Sequence, residues 1–292
     1  GNLVITGAAT FITTAADRNI ILDQSGNAFT STVTFQSGNG SAAFGNLTFV
    51  DSGSVRLHTS AASAGDLYIN AATDGTVGGT LSVTANGDIT QTVPLVVAGT
   101  TTLAAGSSND ITLSNASNNF ATVVITSGGD VNLRDAGAII LGAATVSGTY
   151  GITAGGAITD SGTQEITGVT TLAAGSGNDI TLDTSTNNFA AAVGITSGRN
   201  VAITDEDAID LGAATVSGTY SVTAGGAVTD SGTQEITGVT TISASGQDVT
   251  LNTSTNNFAA AVGITGAAVT VVDEDAIDLG AATVSGTYSV TA

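Results

Sequence analysis

The sequence contains no cysteine, methionine, tryptophan or lysine, and only one proline, Pro94, among its 292 residues. The lack of cysteine and lysine removes two common catalytic nucleophiles. A single proline excludes a polyproline or collagen-type chain. No apolar run approaches the roughly 20 residues that a bilayer-spanning helix needs. These absences leave few routes to catalysis and predict no insertion into a membrane.

Positive charge is also scarce, since 24 acidic residues face four arginines and give a formal net charge of −20. A field of this sign repels phosphate backbones and anionic lipid, so we expect no nucleic-acid partner. An acidic, repetitive chain without cysteine or lysine is typical of a bacterial protein that crosses a membrane unfolded. We therefore expect an extracellular or bacterial cell-surface location.

What the chain does contain is a long internal repeat. Phe120, Phe189 and Phe258 each follow Asn-Asn and are evenly spaced, which sets a repeat period of about 69 residues. Three tyrosines that each follow Gly-Thr recur at nearly the same spacing, namely Tyr150, Tyr220 and Tyr288. A period of this length predicts an array or solenoid.

The repeat predicts one continuous segment over residues 1–292. Divergent coils occupy 1–98, and blocks of about 70 residues follow at 99–167, 168–238 and 239–292, the last one truncated. The phrase at 286–292 stops where earlier copies continue, so we expect this chain to be a piece of a longer protein.

Short runs such as DITLDT at 179–184 and VAITDE at 201–206 alternate apolar with small or polar residues. This alternation is typical of half-buried strands, and the Gly-rich phrases between the runs mark turns. No helical period is sustained. The sequence therefore predicts an all-β solenoid whose strands stack in parallel at about 4.8 Å.

The divergent part gives an expected coil length. The phrase at 19–29 resembles the phrase at 110–120, and the interval between them exceeds one repeat period by about 22 residues. We interpret the excess as one extra unit near residues 45–70. Because three units of this size fill one period, we predict coils of about 23 residues and three coils per block.

Two acidic turns are candidates for a calcium site, because clustered carboxylates can coordinate Ca²⁺. The alternative is a solvated acidic turn, since the spacing matches no EF-hand or calcium-binding nonapeptide motif. No other cofactor is expected. The candidate ligands are Asp205, Asp207, Asp210, Asp273, Asp275 and Asp278.

Catalytic groups are sparse. The single histidine, His58, has no serine elbow beside it, and the acids repeat with the architecture instead of forming one singular cluster. We therefore expect no enzyme. The only stretch suited to a polysaccharide-active or carbohydrate-binding site is 44–68, which holds Asp51, Arg56 and His58.

Four phrases, at 1–10, 127–133, 175–182 and 220–232, resemble those of filamentous-haemagglutinin-type adhesins, many of which use two-partner secretion. The resemblance implies a right-handed parallel β-helix, a secreted or cell-surface location, and a role in adhesion or matrix building.

These observations predict a structural segment of an exported surface fibre or adhesin stalk. Expected partners are other copies of the chain, assembled end to end or laterally, further coils of a longer parent, or a host or cell-surface glycan or protein. The alternatives are a β-helix polysaccharide-active enzyme or carbohydrate-binding module, and a calcium-stiffened spacer.

Overall fold

The computed structural model describes residues 1–37, 44–58, 66–70 and 75–292. The strand pairs within these residues are parallel, as in the pairing of Tyr220 with Thr240 and of Ile111 with Val131. The described residues contain no helix, and so none that could span a membrane. The fold forms two compact units, Gly1–Gly148 and Thr149–Ala292. The single continuous segment stays a prediction.

The first unit is built from short strands that the alternating runs define: β1 (Val4–Ile5), β2 (Ala9–Thr13), β3 (Ile20–Leu22), β4 (Ala28–Phe29), β5 (Val33–Ser37), β6 (Leu47–Asp51), β7 (Val55–His58), β8 (Asp66–Asn70), β9 (Thr76–Val77), β10 (Leu81–Ala85), β11 (Ile89–Gln91), β12 (Val96–Ala104), β13 (Ile111–Leu113), β14 (Asn119–Gly128), β15 (Val131–Asp135) and β16 (Ile139–Val146). One sheet has the order β3-β6-β10-β12-β14-β16. A second sheet has the order β2-β5-β8-β7-β11-β13-β15. Strands β1 and β4 form a separate two-stranded sheet, and β9 pairs with β12.

Strand β8 lies out of chain order in the second of these sheets. Leu67 pairs with Val33 of β5 on one side and with Leu57 of β7 on the other. The predicted extra residues near 45–70 therefore coincide with an inserted strand between β5 and β7. Residues 59–65, which connect β7 to β8, lie outside the described residues.

The second unit continues the same pattern with β17 (Tyr150–Ala154), β18 (Ile158–Asp160), β19 (Gln164–Ile166), β20 (Thr170–Ala173), β21 (Ile180–Leu182), β22 (Asn188–Phe189), β23 (Val193–Gly198), β24 (Val201–Asp205), β25 (Ile209–Val216), β26 (Tyr220–Ala224), β27 (Val228–Asp230), β28 (Gln234–Ile236), β29 (Thr240–Ser243), β30 (Val249–Leu251), β31 (Asn257–Phe258), β32 (Val262–Gly266), β33 (Val269–Val272), β34 (Leu279–Val284) and β35 (Tyr288–Thr291). The chain passes back and forth between two ladders, β17-β20-β23-β25-β27-β30-β33-β35 and β18-β21-β24-β26-β29-β32-β34.

The predicted parallel β-solenoid is thus confirmed, but its coil is shorter than predicted. Seven ladder steps lead from Tyr150 to Tyr288, two blocks later in the chain, which gives about 20 residues per coil. Tyr220, midway between them, lies in the opposite sheet. A block therefore spans three and a half coils, and the prediction of three longer coils per block is wrong.

The physical reason is the number of strand segments in a block. Between residues 168 and 238 the chain changes sheets seven times, at β20, β21, β23, β24, β25, β26 and β27, while β22 and β28 stay in the sheets of β21 and β27. Two segments make one coil. An odd number of segments therefore moves each new block to the opposite sheet.

Alternate side chains of each strand fill the interior. In β10 the pattern buries Leu81, Val83 and Ala85 and leaves the residues between them half-buried. In the first coils, where longer stretches of chain separate the paired strands, the interior holds several phenylalanines. Four rings close a cycle there with centroid distances of 5.3–6.2 Å, formed by Phe11, Phe29, Phe49 and Phe35.

Glycine is required at one recurrent turn. Gly106, Gly175 and Gly246 each follow a strand of the TTLA type and have φ of 87°, 82° and 77°. Side chains with a Cβ disfavour this left-handed region. The single-residue difference between GSGND and SGQD falls in this turn, where it leaves the strand registers intact.

Candidate functional site

The acidic turn after β24 begins with a buried carboxylate. Asp205 is 1% exposed, whereas Glu206 and Asp207 face solvent. The Phe189 N–H donates to Asp205 Oδ2 at 2.9 Å, and the Asp207 N–H donates to Oδ1 at 2.8 Å. Both oxygens are therefore occupied by backbone donors. One of these bonds closes the turn and the other ties it to the preceding coil.

The same corner recurs along the chain. Asp273 accepts the N–H groups of Phe258 and Asp275 at 2.9 and 3.0 Å. Asp135 accepts those of Phe120 and Gly137 at 2.6 and 2.7 Å. In the divergent coils, Asp51 accepts those of Phe29 and Ser52 at 3.0 and 2.7 Å. The carboxylate is thus a structural element of each corner.

The asparagine before each Asn-Phe pair extends this corner by one more coil. Asn187 is fully buried; its Oδ1 accepts the Gln164 N–H at 2.9 Å and its Nδ2 donates to Asp160 Oδ2 at 2.7 Å. Asn256 repeats both bonds with Gln234 and Asp230, at 2.9 and 2.6 Å. Three successive coils are therefore joined through side chains at this edge.

A Gly-Gly pair covers the acidic turn on the next coil. The Gly225 N–H donates to the Asp205 carbonyl at 3.0 Å, and the Gly226 N–H donates to the Asp207 carbonyl at 2.7 Å. A Cβ on Gly225 would collide with the Glu206 carbonyl oxygen. The pair of glycines therefore permits close backbone stacking over the carboxylates.

Burial governs the electrostatics of this corner. Desolvation raises the pKa of Asp205 above its ordinary value, the two backbone N–H bonds oppose the rise, and the carboxylates of Asp207 and Glu206 add to it. Desolvation likewise raises the pKa of Asp135 against its two N–H bonds. The anion is costly here, and the backbone donors offset part of that cost.

The structure separates the predicted calcium ligands by environment. Asp205 and Asp273 are buried and bonded to backbone N–H groups, whereas the other four lie outside the core. Among the described residues, no three Asp, Glu or His side chains form a group that could hold a metal ion. Asp210 is half-buried on β25, and its Oδ1 has no hydrogen-bond partner among the described residues. Calcium binding stays a prediction.

The residues of the stretch predicted for a carbohydrate site lie on different structural elements. Asp51 ends β6 and holds a corner, while Arg56 and His58 belong to β7, paired in register with Asp66 and Tyr68 of β8. Residues 59–65 of this stretch lie outside the described part of the chain.

Acidic residues also form a ladder at the opposite corner of the first unit. The Asp110 N–H donates to Asp88 Oδ1 at 3.0 Å, and the Asp130 N–H donates to Asp110 Oδ1 at 2.9 Å. In the second unit Asn200 has the corresponding role and accepts the Thr219 N–H at 3.1 Å. An amide can therefore supply the same side-chain acceptor as a carboxylate at this position, although the third copy holds Ala268 there.

Sequence reasoning missed Asp160, Asp230 and Gln164 as partners of the buried asparagines. A signal was present: Asp160 and Asp230 lie one block apart and precede their asparagine partners by 27 and 26 residues. The interval exceeds one coil, so it becomes meaningful only when the coil length is known.

The fold and these corners define a β-solenoid repeat protein whose conspicuous polar side chains connect successive coils. The chain belongs to the family described as Repeats of unknown function (DUF5649), whose model matches residues 1–36, 65–127, 128–196 and 198–265. Among curated proteins no match was found. Among solved structures there was none either.

Proposed function

We propose that this chain is a structural segment of an exported bacterial surface fibre or adhesin stalk. The observation that carries the proposal is what the repeated polar residues bind. The side chains of Asn187 and Asp205 form hydrogen bonds to neighbouring coils and within their own turn. A binding or catalytic site needs groups that remain available to a ligand. A structural role instead needs hydrogen bonds between successive coils, and these side chains form such bonds.

The proposed partners are coils of the same kind, in another copy or in a longer chain. Within the second unit, coils of this kind pair with one another in parallel, as β26 pairs with β24 on one side and with β29 on the other. This pairing uses backbone groups and apolar interior residues that each coil of the repeat supplies, so another coil of the same repeat presents a matching surface.

Two experiments test the proposal. Immunogold electron microscopy of producing cells should place the protein on surface fibres, and labelling confined to the cytoplasm would contradict the proposal. Sedimentation of the purified chain should show association that rises with concentration, and a chain that stays monomeric at every concentration would argue against assembly between copies.

A further inference from the structure

Two polar side chains lie in the interior of the second unit in the blocks that contain Tyr150 and Tyr220. Tyr220 of β26 and Gln234 of β28 are 1% and 0% exposed and come from opposite sheets. Tyr150 of β17 and Gln164 of β19 have the same arrangement one block earlier. A buried phenol and a buried amide need hydrogen-bond partners, since an unpaired buried polar group is costly.

The chain itself indicates that the two side chains act as a pair. In the first unit the corresponding positions, one repeat period before Tyr150 and Gln164, hold Leu81 and Leu95. Both leucines are fully buried. Leucine therefore replaces tyrosine and glutamine together, which is expected when each polar group depends on the other for its hydrogen bonding.

The contacts around Gln234 fix its orientation. Its Nε2 donates to the carbonyl oxygens of Gly212 and Gly232, both at 2.8 Å. These two bonds assign the side-chain nitrogen, Nε2, to the side that faces the backbone carbonyls. The side-chain oxygen, Oε1, is then free to accept a hydrogen bond from another group. Among the described residues, neither Gln234 Oε1 nor Tyr220 Oη has a hydrogen-bond partner.

The threonine beside each tyrosine does not distinguish the blocks. Thr101, Thr170 and Thr240 each have an Oγ1 without a partner among the described residues, although their paired residues are Leu81, Tyr150 and Tyr220. In the earlier block the Tyr150 Oη to Gln164 Oε1 distance is 3.4 Å. A direct O–H···O bond is typically about 2.7–2.8 Å, so even this pair is only loosely bonded.

We propose that the interior between β26 and β28 binds one ordered water molecule, held by Tyr220 Oη and Gln234 Oε1. A buried water typically makes about two to four hydrogen bonds to groups that otherwise lack partners. The amide oxygen accepts a hydrogen bond from the water, and the tyrosine hydroxyl can donate or accept one. Burial raises the pKa of the Tyr220 phenol, which keeps its hydroxyl protonated at neutral pH.

A high-resolution crystal structure of the full chain tests this inference. We expect an isolated density peak within about 2.7–3.0 Å of both Tyr220 Oη and Gln234 Oε1. A direct bond between these two oxygens with no such peak would overturn the proposal. The Tyr150–Gln164 pair provides the internal comparison, because its two oxygens already lie within direct reach.

Variants add a second readout. Tyr220→Phe removes one partner of the water and should lower the melting temperature by about 2 °C. The double variant Tyr220→Leu with Gln234→Leu recreates the pair found at Leu81 and Leu95, and should lack the peak while melting no lower than either single leucine variant. Strictly additive losses in the double variant would show that the two side chains share no common bonded group.

Discussion

Replacement of Asp205 by asparagine should destabilise the chain although it removes a buried charge. The two carboxylate oxygens accept the N–H groups of Phe189 and Asp207. An asparagine has one oxygen, so its NH₂ group would face one of these donors. The variant therefore loses one charge-assisted bond and leaves a buried donor without an acceptor.

The magnitude follows from opposing terms. A hydrogen bond to a charged group contributes about 1.5–3 kcal/mol, and an unsatisfied buried donor costs about 1–3 kcal/mol. The gain from no longer burying a charge, which raises the pKa of Asp205, opposes both losses. We expect a net loss of about 2 kcal/mol and a fall in melting temperature of about 4–8 °C.

Thermal and urea unfolding followed by circular dichroism measure this loss. Asp207→Asn is the matched control, because its side chain is exposed and only its backbone N–H belongs to the corner. The control should stay within about 0.5 kcal/mol of the parent chain. An Asp205→Asn variant as stable as the control would refute the assignment of both oxygens to backbone donors.

Three further predictions concern charge. The folded-state pKa values of Asp135 and Asp205 are raised, so the stability linked to these groups is greatest below their unfolded pKa, about 3.9, and is lost as pH rises through the folded values. Relief of repulsion at a net charge of −20 acts in the same direction, so the melting temperature should rise on acidification from pH 7 towards about 5, and a fall would contradict both arguments. Asp110→Asn keeps the ladder acceptor, as Asn200 does, and should raise the melting temperature at low salt by a margin that shrinks at high salt; a loss of stability would show that the charge itself is needed. Because both carboxylate oxygens of Asp205 and of Asp273 accept backbone N–H groups, Ca²⁺ should shift the melting temperature no more than Mg²⁺ at equal concentration, and a calcium-specific rise in thermal scans would support the stiffened-spacer alternative.

Much of the fold could be predicted from local pattern. Alternation in VAITD and YSVTA defines β24 and β26, because the period of two is a property of each strand alone. The Gly-Ser phrases mark turns for an equally local reason. The strand order near β8 was not predictable in the same way, because Leu67 lies between Val33 and Leu57 through pairings that depend on the whole sheet.

The corner chemistry was predictable only in part. The acidic phrase stood out by its recurrence, and Asp205 does close a turn there, but its carboxylate is buried and not solvated. The partners of Asn187 were hidden, since Gln164 and Asp160 lie 23 and 27 residues before it and a coil has about 20. A side chain at a corner bonds to a residue of the adjacent coil that is not its direct pairing partner. The number of residues between the two therefore equals the coil length plus an offset along the strand.

The odd number of segments in a block explains both the regularity of the repeat and the error in the predicted coil length. Thr170 lies under Tyr150 in one sheet, and Thr240 lies under Tyr220 in the other. Each of these tyrosines is therefore paired with a threonine on the next coil, although the two tyrosines lie in different sheets. Duplication of a block adds three and a half coils and leaves these contacts unchanged, so a long repeat period need not contain a whole number of coils.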